Sequence, residues 1–145
     1  MINRDFKEFI ELLNKNDVKY LVVGGYALAF HGYPRFTKDI DFWVWVDKKN
    51  AEQIMKTLQD FGFSSLEINE EDFLSPGYVV QLGHPPARID LLTSVTGLEF
   101  EECYASRDHV DIQGVGIDFV DLENFKKNKK AVGRYQDLAD LENLE

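Results

Sequence analysis

The segment "DIDFWVWV", residues 39–46, constrains the fold more than any other stretch of this 145-residue chain. Successive side chains of a strand point to opposite faces, so Ile40, Phe42 and Val44 share an apolar face that has to be buried. Asp39 and Asp41 then lie side by side on the other face. Two carboxylates this close repel each other unless a cation, hydrogen-bond donors or a proton intervenes.

A third aspartate, Asp90, lies inside the apolar segment "ARIDLL", where an unpaired carboxylate is costly to bury. If this strand lies beside the one that begins at Asp39, the three aspartates converge. Oxygen ligands at close range suit Mg²⁺ or Mn²⁺, and three carboxylates can hold two ions for an in-line displacement at phosphorus. The pattern predicts such a metal site, with a purely structural set of aspartates as the alternative.

The pair Gly24-Gly25 follows the apolar segment "VKYLVV" and precedes a short helical pattern from Tyr26 to near Gly32. Backbone N–H groups and the positive end of a helix at such a turn can approach phosphate oxygens closely. The glycine pair therefore fits a phosphate-facing turn, although most pairs of this kind are turns without a ligand.

Helical and strand patterns alternate along the rest of the chain, which predicts an α/β (α+β) fold with a mixed central sheet and flanking helices. "YVVQL" and "ARIDLL" are joined by "GHPP" and read as a hairpin, and "HVDIQGVGIDFV" reads as two short strands. Helices are predicted from Phe6, Phe9, Ile10 and Leu13, from Ala51, Ile54, Met55 and Leu58 with a stop at Gly62, and over residues 122–132 and 135–144.

Composition favours one domain spanning residues 1–145, with closing helices over 121–145. The lone Cys103 excludes an internal disulfide, and no apolar run is long enough to cross a membrane, so a cytoplasmic location is expected. The net charge of −10 argues against an extended nucleic-acid surface. The basic cluster "KKNKK", residues 126–130, is either a local phosphate contact or a solvated helix end.

The combined spacing resembles the active-site pattern of the DNA polymerase β-like nucleotidyltransferase superfamily. Gly24-Gly25 is followed after thirteen residues by Asp39-Ile40-Asp41-Phe42, and Asp90 follows downstream. "GGYALAFHGYPRFTKDIDFWV" is similar to small prokaryotic members, related to minimal nucleotidyltransferases and to AbiEii-type abortive-infection toxins. "KKAVGRYQDLADLENL" is similar to the closing motif of those families.

The resemblance implies a nucleotidyltransferase fold and transfer of a nucleoside monophosphate from a nucleoside triphosphate to an acceptor hydroxyl. Asp39 and Asp41 would hold Mg²⁺ or Mn²⁺, and Asp90 would complete the site and accept the proton of the acceptor. The residues expected to contact the nucleotide are Gly24, Gly25, Arg35, Thr37, Lys129, Arg134 and Asp137.

The resemblance leaves the acceptor open: a partner protein, a tRNA end or a small molecule would each fit, in a toxin–antitoxin or phage-defence setting. Gly25 replaces the serine of many superfamily members, and "RYQD" lacks a lysine that is frequent in the closing motif. A non-catalytic module that binds a nucleotide or a partner on the same fold is the competing hypothesis. Lys129 and Arg134 could instead stabilise helix ends, where cations are favoured.

Overall fold

The computed structural model describes residues 2–33, 37–63, 67–83 and 87–144. The helices are α1 (Arg4–Lys15), α2 (Gly24–Phe30), α3 (Lys48–Phe61), α4 (Phe100–Ala105), α5 (Leu122–Val132) and α6 (Tyr135–Leu144), with a 3₁₀ turn at Glu70–Phe73. The strands are β1 (Tyr20–Val23), β2 (Asp39–Val44), β3 (Val79–Leu82), β4 (Arg88–Leu92), β5 (Asp108–Ile112) and β6 (Val115–Phe119).

The six strands form one mixed sheet in the order β3-β4-β2-β1-β6-β5. β2 pairs in parallel with β4 and antiparallel with β1, while β1 pairs in parallel with β6. The two outer pairs, β3 with β4 and β5 with β6, are antiparallel. The predicted mixed sheet with flanking helices is therefore confirmed, including the antiparallel pairing of the two segments that flank "GHPP".

The apolar face of β2 packs against α1 and α3. Ile40, Phe42 and Val44 are almost completely buried, as their alternation predicts. The ring of Phe9 on α1 lies 5.5 Å from that of Phe42 and 5.1 Å from that of Phe61 on α3. This face forms the core, which leaves the opposite face of β2 to carry the aspartates.

The bounds of several elements differ from those predicted. β2 ends at Val44 rather than Val46: Trp45 still donates its N–H to the carbonyl oxygen of Lys19, but the Asn50 side chain takes the Lys19 N–H and the Trp45 carbonyl oxygen. α2 begins at Gly24, two residues earlier than Tyr26. α4 and the 3₁₀ turn are not predicted from the sequence. No helix in the described part of the chain is long and apolar enough to cross a membrane.

Asn50 fixes the start of α3 to the end of β2 and to the residue before β1. Its side chain accepts a hydrogen bond from the Lys19 N–H at 2.8 Å, and it donates to the carbonyl oxygens of Lys19 at 3.2 Å and Trp45 at 2.9 Å. The residue is only 2% exposed. One buried amide thereby satisfies three backbone groups where the chain leaves the sheet.

We expect Asn50→Ala to lower the free energy of unfolding by about 2–4 kcal/mol, because buried backbone groups lose their partners. Lys49→Ala, at an exposed position of the same helix, is the matched control and should change stability by less than about 0.5 kcal/mol. Urea denaturation of both variants measures the difference. Equal midpoints would show that water replaces the Asn50 amide without loss.

Candidate active site

Four charged side chains lie on the face of β2 and β4 opposite the core. The parallel register pairs Asp39 with Arg88 and Asp41 with Asp90. Within each strand the two charged residues are two positions apart, so all four project to the same side of the sheet. The three aspartates singled out in the sequence are thus brought together, and Arg88, which sequence reasoning missed, lies among them.

Arg88 links two of the three carboxylates. Its Nε donates to Asp90 Oδ1 at 2.8 Å, and its Nη2 donates to Asp90 Oδ2 at 3.1 Å. The same Nη2 lies 3.2 Å from Asp39 Oδ2. The Asp90 side chain is 10% exposed and that of Asp39 is 36% exposed. The contact of Arg88 with Asp90 is therefore bidentate and mostly shielded from water, whereas its contact with Asp39 is single and open to water.

Of the three aspartates, Asp41 has a raised pKa. Burial raises the pKa of Asp41 to about 7, helped by the negative charge of Asp90, a hydrogen bond between the two carboxyl groups, and the charge of Asp39. Arg88 acts in the opposite direction and does not cancel these effects. Asp41 therefore gives up its proton less readily than an ordinary aspartate.

The glycine turn lies directly against the carboxylates. Gly24 has a φ of +70°, which L side chains rarely adopt, and a Cβ there would overlap Asp41 Oδ2. A Cβ at Gly25 would come within 3.0–3.2 Å of the Thr37 side chain, whose hydroxyl donates to the Asp39 carbonyl oxygen at 3.1 Å. Gly24, Gly25 and Thr37 therefore join the same site as the three aspartates.

The predicted residues of the closing helices form a cluster of their own. The Lys129 Nζ lies 3.2 Å from Asp137 Oδ1 and 3.0 Å from Asp140 Oδ2, and both aspartates are 1% exposed. The Arg134 side chain is 71% exposed and its Nε lies 2.7 Å from Asp137 Oδ2. The hydrogen bond from Arg134, then those from Lys129, lower the pKa of Asp137 to about 2 although burial opposes this.

The predicted residues divide into two groups in the structure. The aspartates, the glycines and Thr37 lie together, whereas Lys129 and Arg134 form ion pairs with aspartates of α6. Arg35 lies outside the described residues. Among residues 2–33, 37–63, 67–83 and 87–144, no group of three or more His, Cys, Asp or Glu side chains is arranged to hold a metal ion. The Arg88 guanidinium lies between two of the three aspartates.

The raised pKa of Asp41 predicts a specific pH dependence in the absence of divalent ions. Between about pH 4 and pH 7 the folded protein holds a proton that the unfolded chain releases, so stability falls as pH rises through this window. Asp41→Asn should remove that dependence and raise the free energy of unfolding at pH 8 by roughly 2 kcal/mol. Denaturation in chelator from pH 4.5 to 8 measures it.

Asp111→Asn is the control for Asp41, since Asp111 is an exposed carboxylate on β5. It should follow the wild-type pH dependence. If Asp41→Asn instead destabilises the protein at pH 8, the carboxylate holds structure through hydrogen bonds and the crowding argument is wrong.

Lys129→Ala should lower the free energy of unfolding by about 2–4 kcal/mol, because it leaves two buried aspartates with less compensation. The exposed Lys130 on the same helix provides the control, and Lys130→Ala should leave stability nearly unchanged. Thermal denaturation without nucleotide separates this structural role from any contact with phosphate. A small effect at Lys129 would favour a solvated ion cluster instead.

The chain is similar in sequence profile to one protein family and in fold to two solved structures. Comparison with curated proteins finds no significant match. A candidate nucleotidyltransferase from Thermotoga maritima aligns over 97% of this chain and 89% of its own, at 18% identity and a TM-score of 0.67. An antigenic nucleotidyltransferase-like protein from Paracoccidioides brasiliensis aligns over 93% of this chain and 71% of its own, at 18% identity and a TM-score of 0.56.

These two structures support the fold, and the family follows from the sequence profile. The profile of one family matches residues 2–145, which is nearly the whole chain. The chain therefore belongs to the family described as "nucleotidyl transferase of unknown function" (DUF2204).

Proposed function

We propose that this chain is a divalent-cation-dependent nucleotidyltransferase, which transfers a nucleoside monophosphate from a nucleoside triphosphate to an acceptor hydroxyl. The observation that carries the proposal is the β2–β4 register, which sets Asp41 beside Asp90 and Asp39 one step along the same face. The family and the fold are those of nucleotidyltransferases.

The residues present fit a divalent cation. All the donors are carboxylate oxygens, which Mg²⁺ and Mn²⁺ prefer, and the three carboxylates have one arginine among them. Asp39 and Asp41 would hold the ion or ions, and Asp90 would complete the set. When bound there, the cation would neutralise charge on the phosphate oxygens and orient them.

The remaining roles fall to side chains and backbone of the chain itself. Gly24 and Gly25 would present backbone N–H groups to a phosphate at the start of α2, beside the Asp41 and Thr37 side chains that pack against these glycines. The Thr37 hydroxyl would donate to a phosphate by turning away from the Asp39 carbonyl oxygen. Asp90 would accept the proton of the attacking hydroxyl once that group is in place. Together these residues would orient the triphosphate across the face that bears the aspartates.

The closing helices would contribute a more distant contact with the nucleotide. Of their predicted residues, Arg134 is 71% exposed and can meet a ligand, whereas Lys129 is 11% exposed and Asp137 1%. We therefore assign nucleotide contact at this end first to Arg134. Lys129 and Asp137 would support it by fixing α6 on α5.

The acceptor we propose is a hydroxyl of a partner protein, a tRNA end or a small molecule, in a cytoplasmic toxin–antitoxin or phage-defence setting. The net charge of −10 disfavours a long nucleic acid, which needs an extended basic surface. A tRNA end would require local contacts alone, and it therefore stays compatible with the acidic chain.

One observation favours a second candidate, a non-catalytic module that binds a nucleotide or a partner. Arg88 already neutralises part of the aspartate cluster, as a residue that replaces a metal permanently would do. The two functions differ in turnover: the module would bind nucleotide and leave it unchanged.

Incubation with nucleoside triphosphates labelled at the α-phosphate, with Mg²⁺ or Mn²⁺ and candidate acceptors, tests the proposal. We expect label on an acceptor with release of pyrophosphate, and a loss of at least 100-fold in Asp39→Asn and Asp90→Asn, because both variants remove a cation ligand. Asp111→Asn should retain full activity. Binding of nucleotide without transfer to protein, tRNA or small hydroxyl compounds would favour the non-catalytic module.

A further inference from the structure

We infer that Arg88 is an internal counter-cation, which is anchored on Asp90, competes with a divalent metal ion for Asp39 and lowers the affinity of the site for that ion. The inference deepens the proposed function and rests on its metal site. It assigns the role of a competitor with the metal to a residue outside the metal-ligand set.

The geometry of Arg88 is that of a cation shared between two carboxylates. Its planar guanidinium binds Asp90 through Nε at 2.8 Å and Nη2 at 3.1 Å, which is the bidentate arrangement that arginine forms best. The same Nη2 reaches Asp39 Oδ2 at 3.2 Å. Oxygen atoms that a metal would use are therefore engaged by the guanidinium.

The two contacts of Arg88 are unequal. Asp90 is bound by two hydrogen bonds and its side chain is 10% exposed, whereas Asp39 is bound by one contact and is 36% exposed. An exposed single ion pair contributes little to stability and exchanges readily. Asp39 is therefore the ligand that Arg88 releases to a metal, while the guanidinium stays on Asp90.

Thermodynamic linkage makes this competition measurable. If the Arg88–Asp39 contact opposes metal binding, removing it must raise metal affinity, and the change equals the coupling free energy between the two events. Couplings between interacting sites usually correspond to about 5- to 150-fold in affinity. We expect a value near tenfold, because only one of the two carboxylates has to be released.

The experiment measures Mn²⁺ affinity without nucleotide, by the electron paramagnetic resonance signal of free Mn²⁺. Arg88→Gln should bind Mn²⁺ about tenfold more tightly than the wild type. Arg88→Lys should show a smaller gain in Mn²⁺ affinity, since an ammonium group keeps the charge but lacks the planar, bidentate donors of the guanidinium. Arg107→Gln is the matched control: Arg107 is 33% exposed, lies 3.4 Å from Asp118, and should leave Mn²⁺ affinity unchanged.

A double variant, Arg88→Gln with Asp39→Asn, locates the effect. When Asp39→Asn is already present, Arg88→Gln should no longer raise Mn²⁺ affinity tenfold, because the carboxylate that Arg88 would release is missing. If Arg88→Gln does not fold, the gain expected in Arg88→Lys decides the question. Unchanged or weaker Mn²⁺ binding in the folded Arg88 variants overturns the inference, and then Arg88 serves to hold Asp90 in place.

The outcomes separate this inference from the proposed function. Tighter Mn²⁺ binding in Arg88→Gln, without nucleotide transfer by the wild type, would support the counter-cation and contradict the enzyme. Nucleotide transfer by the wild type, with equal Mn²⁺ affinity in the wild type and in Arg88→Gln, would support the enzyme and contradict the counter-cation. Absence of Mn²⁺ binding in the wild type and in both Arg88 variants would overturn the metal site and the inference together.

Discussion

The parallel pairing of β2 with β4 is the constraint on which the rest of this structure depends. On the core face it sets Ile40 beside Ile89 and Phe42 beside Leu91, all four of them buried. On the other face the same register sets Asp41 beside Asp90. Because the side-chain period of a strand is two, a slip of one residue would turn carboxylates into the core. Core packing and the geometry of the site are thus fixed by one register.

The sequence predicts each strand of this pair but not the pairing. The alternation in "DIDFWV" is enough to assign Asp39 and Asp41 to one face, whereas the approach of Asp90 depends on which strands are neighbours. Arg88 shares its face with Asp90 by the same two-residue spacing, a signal present in "RID". Its significance appears only when Asp39 is known to lie opposite. α4 has six residues, with Phe100 and Cys103 buried, and is too short for periodicity to reveal.

The closing helices show a different limit of sequence reasoning. A hydrophobic pattern would bury Leu138 of α6 and expose the aspartates beside it, yet Asp137 and Asp140 are 1% exposed while Leu138 is 49% exposed. Lys129 on α5 accounts for the burial of the two aspartates, because its Nζ lies within 3.2 Å of an oxygen of each carboxylate. A cation eight residues before Asp137 is visible in the sequence. Whether it meets a phosphate or an aspartate depends on how the two helices fold back on each other.

The chain therefore uses aspartate–cation contacts in two physically different ways. Lys129 and its aspartates are almost wholly shielded, so breaking that contact would leave poorly compensated charges in the interior at a cost of about 2–4 kcal/mol. Arg88 and Asp39 are 28% and 36% exposed, and an ion pair that is open to water in this way contributes little to stability. A cluster of the first kind holds two helices together and resists exchange of its cation. A contact of the second kind can open at little cost, which is the property that a cation-binding site needs.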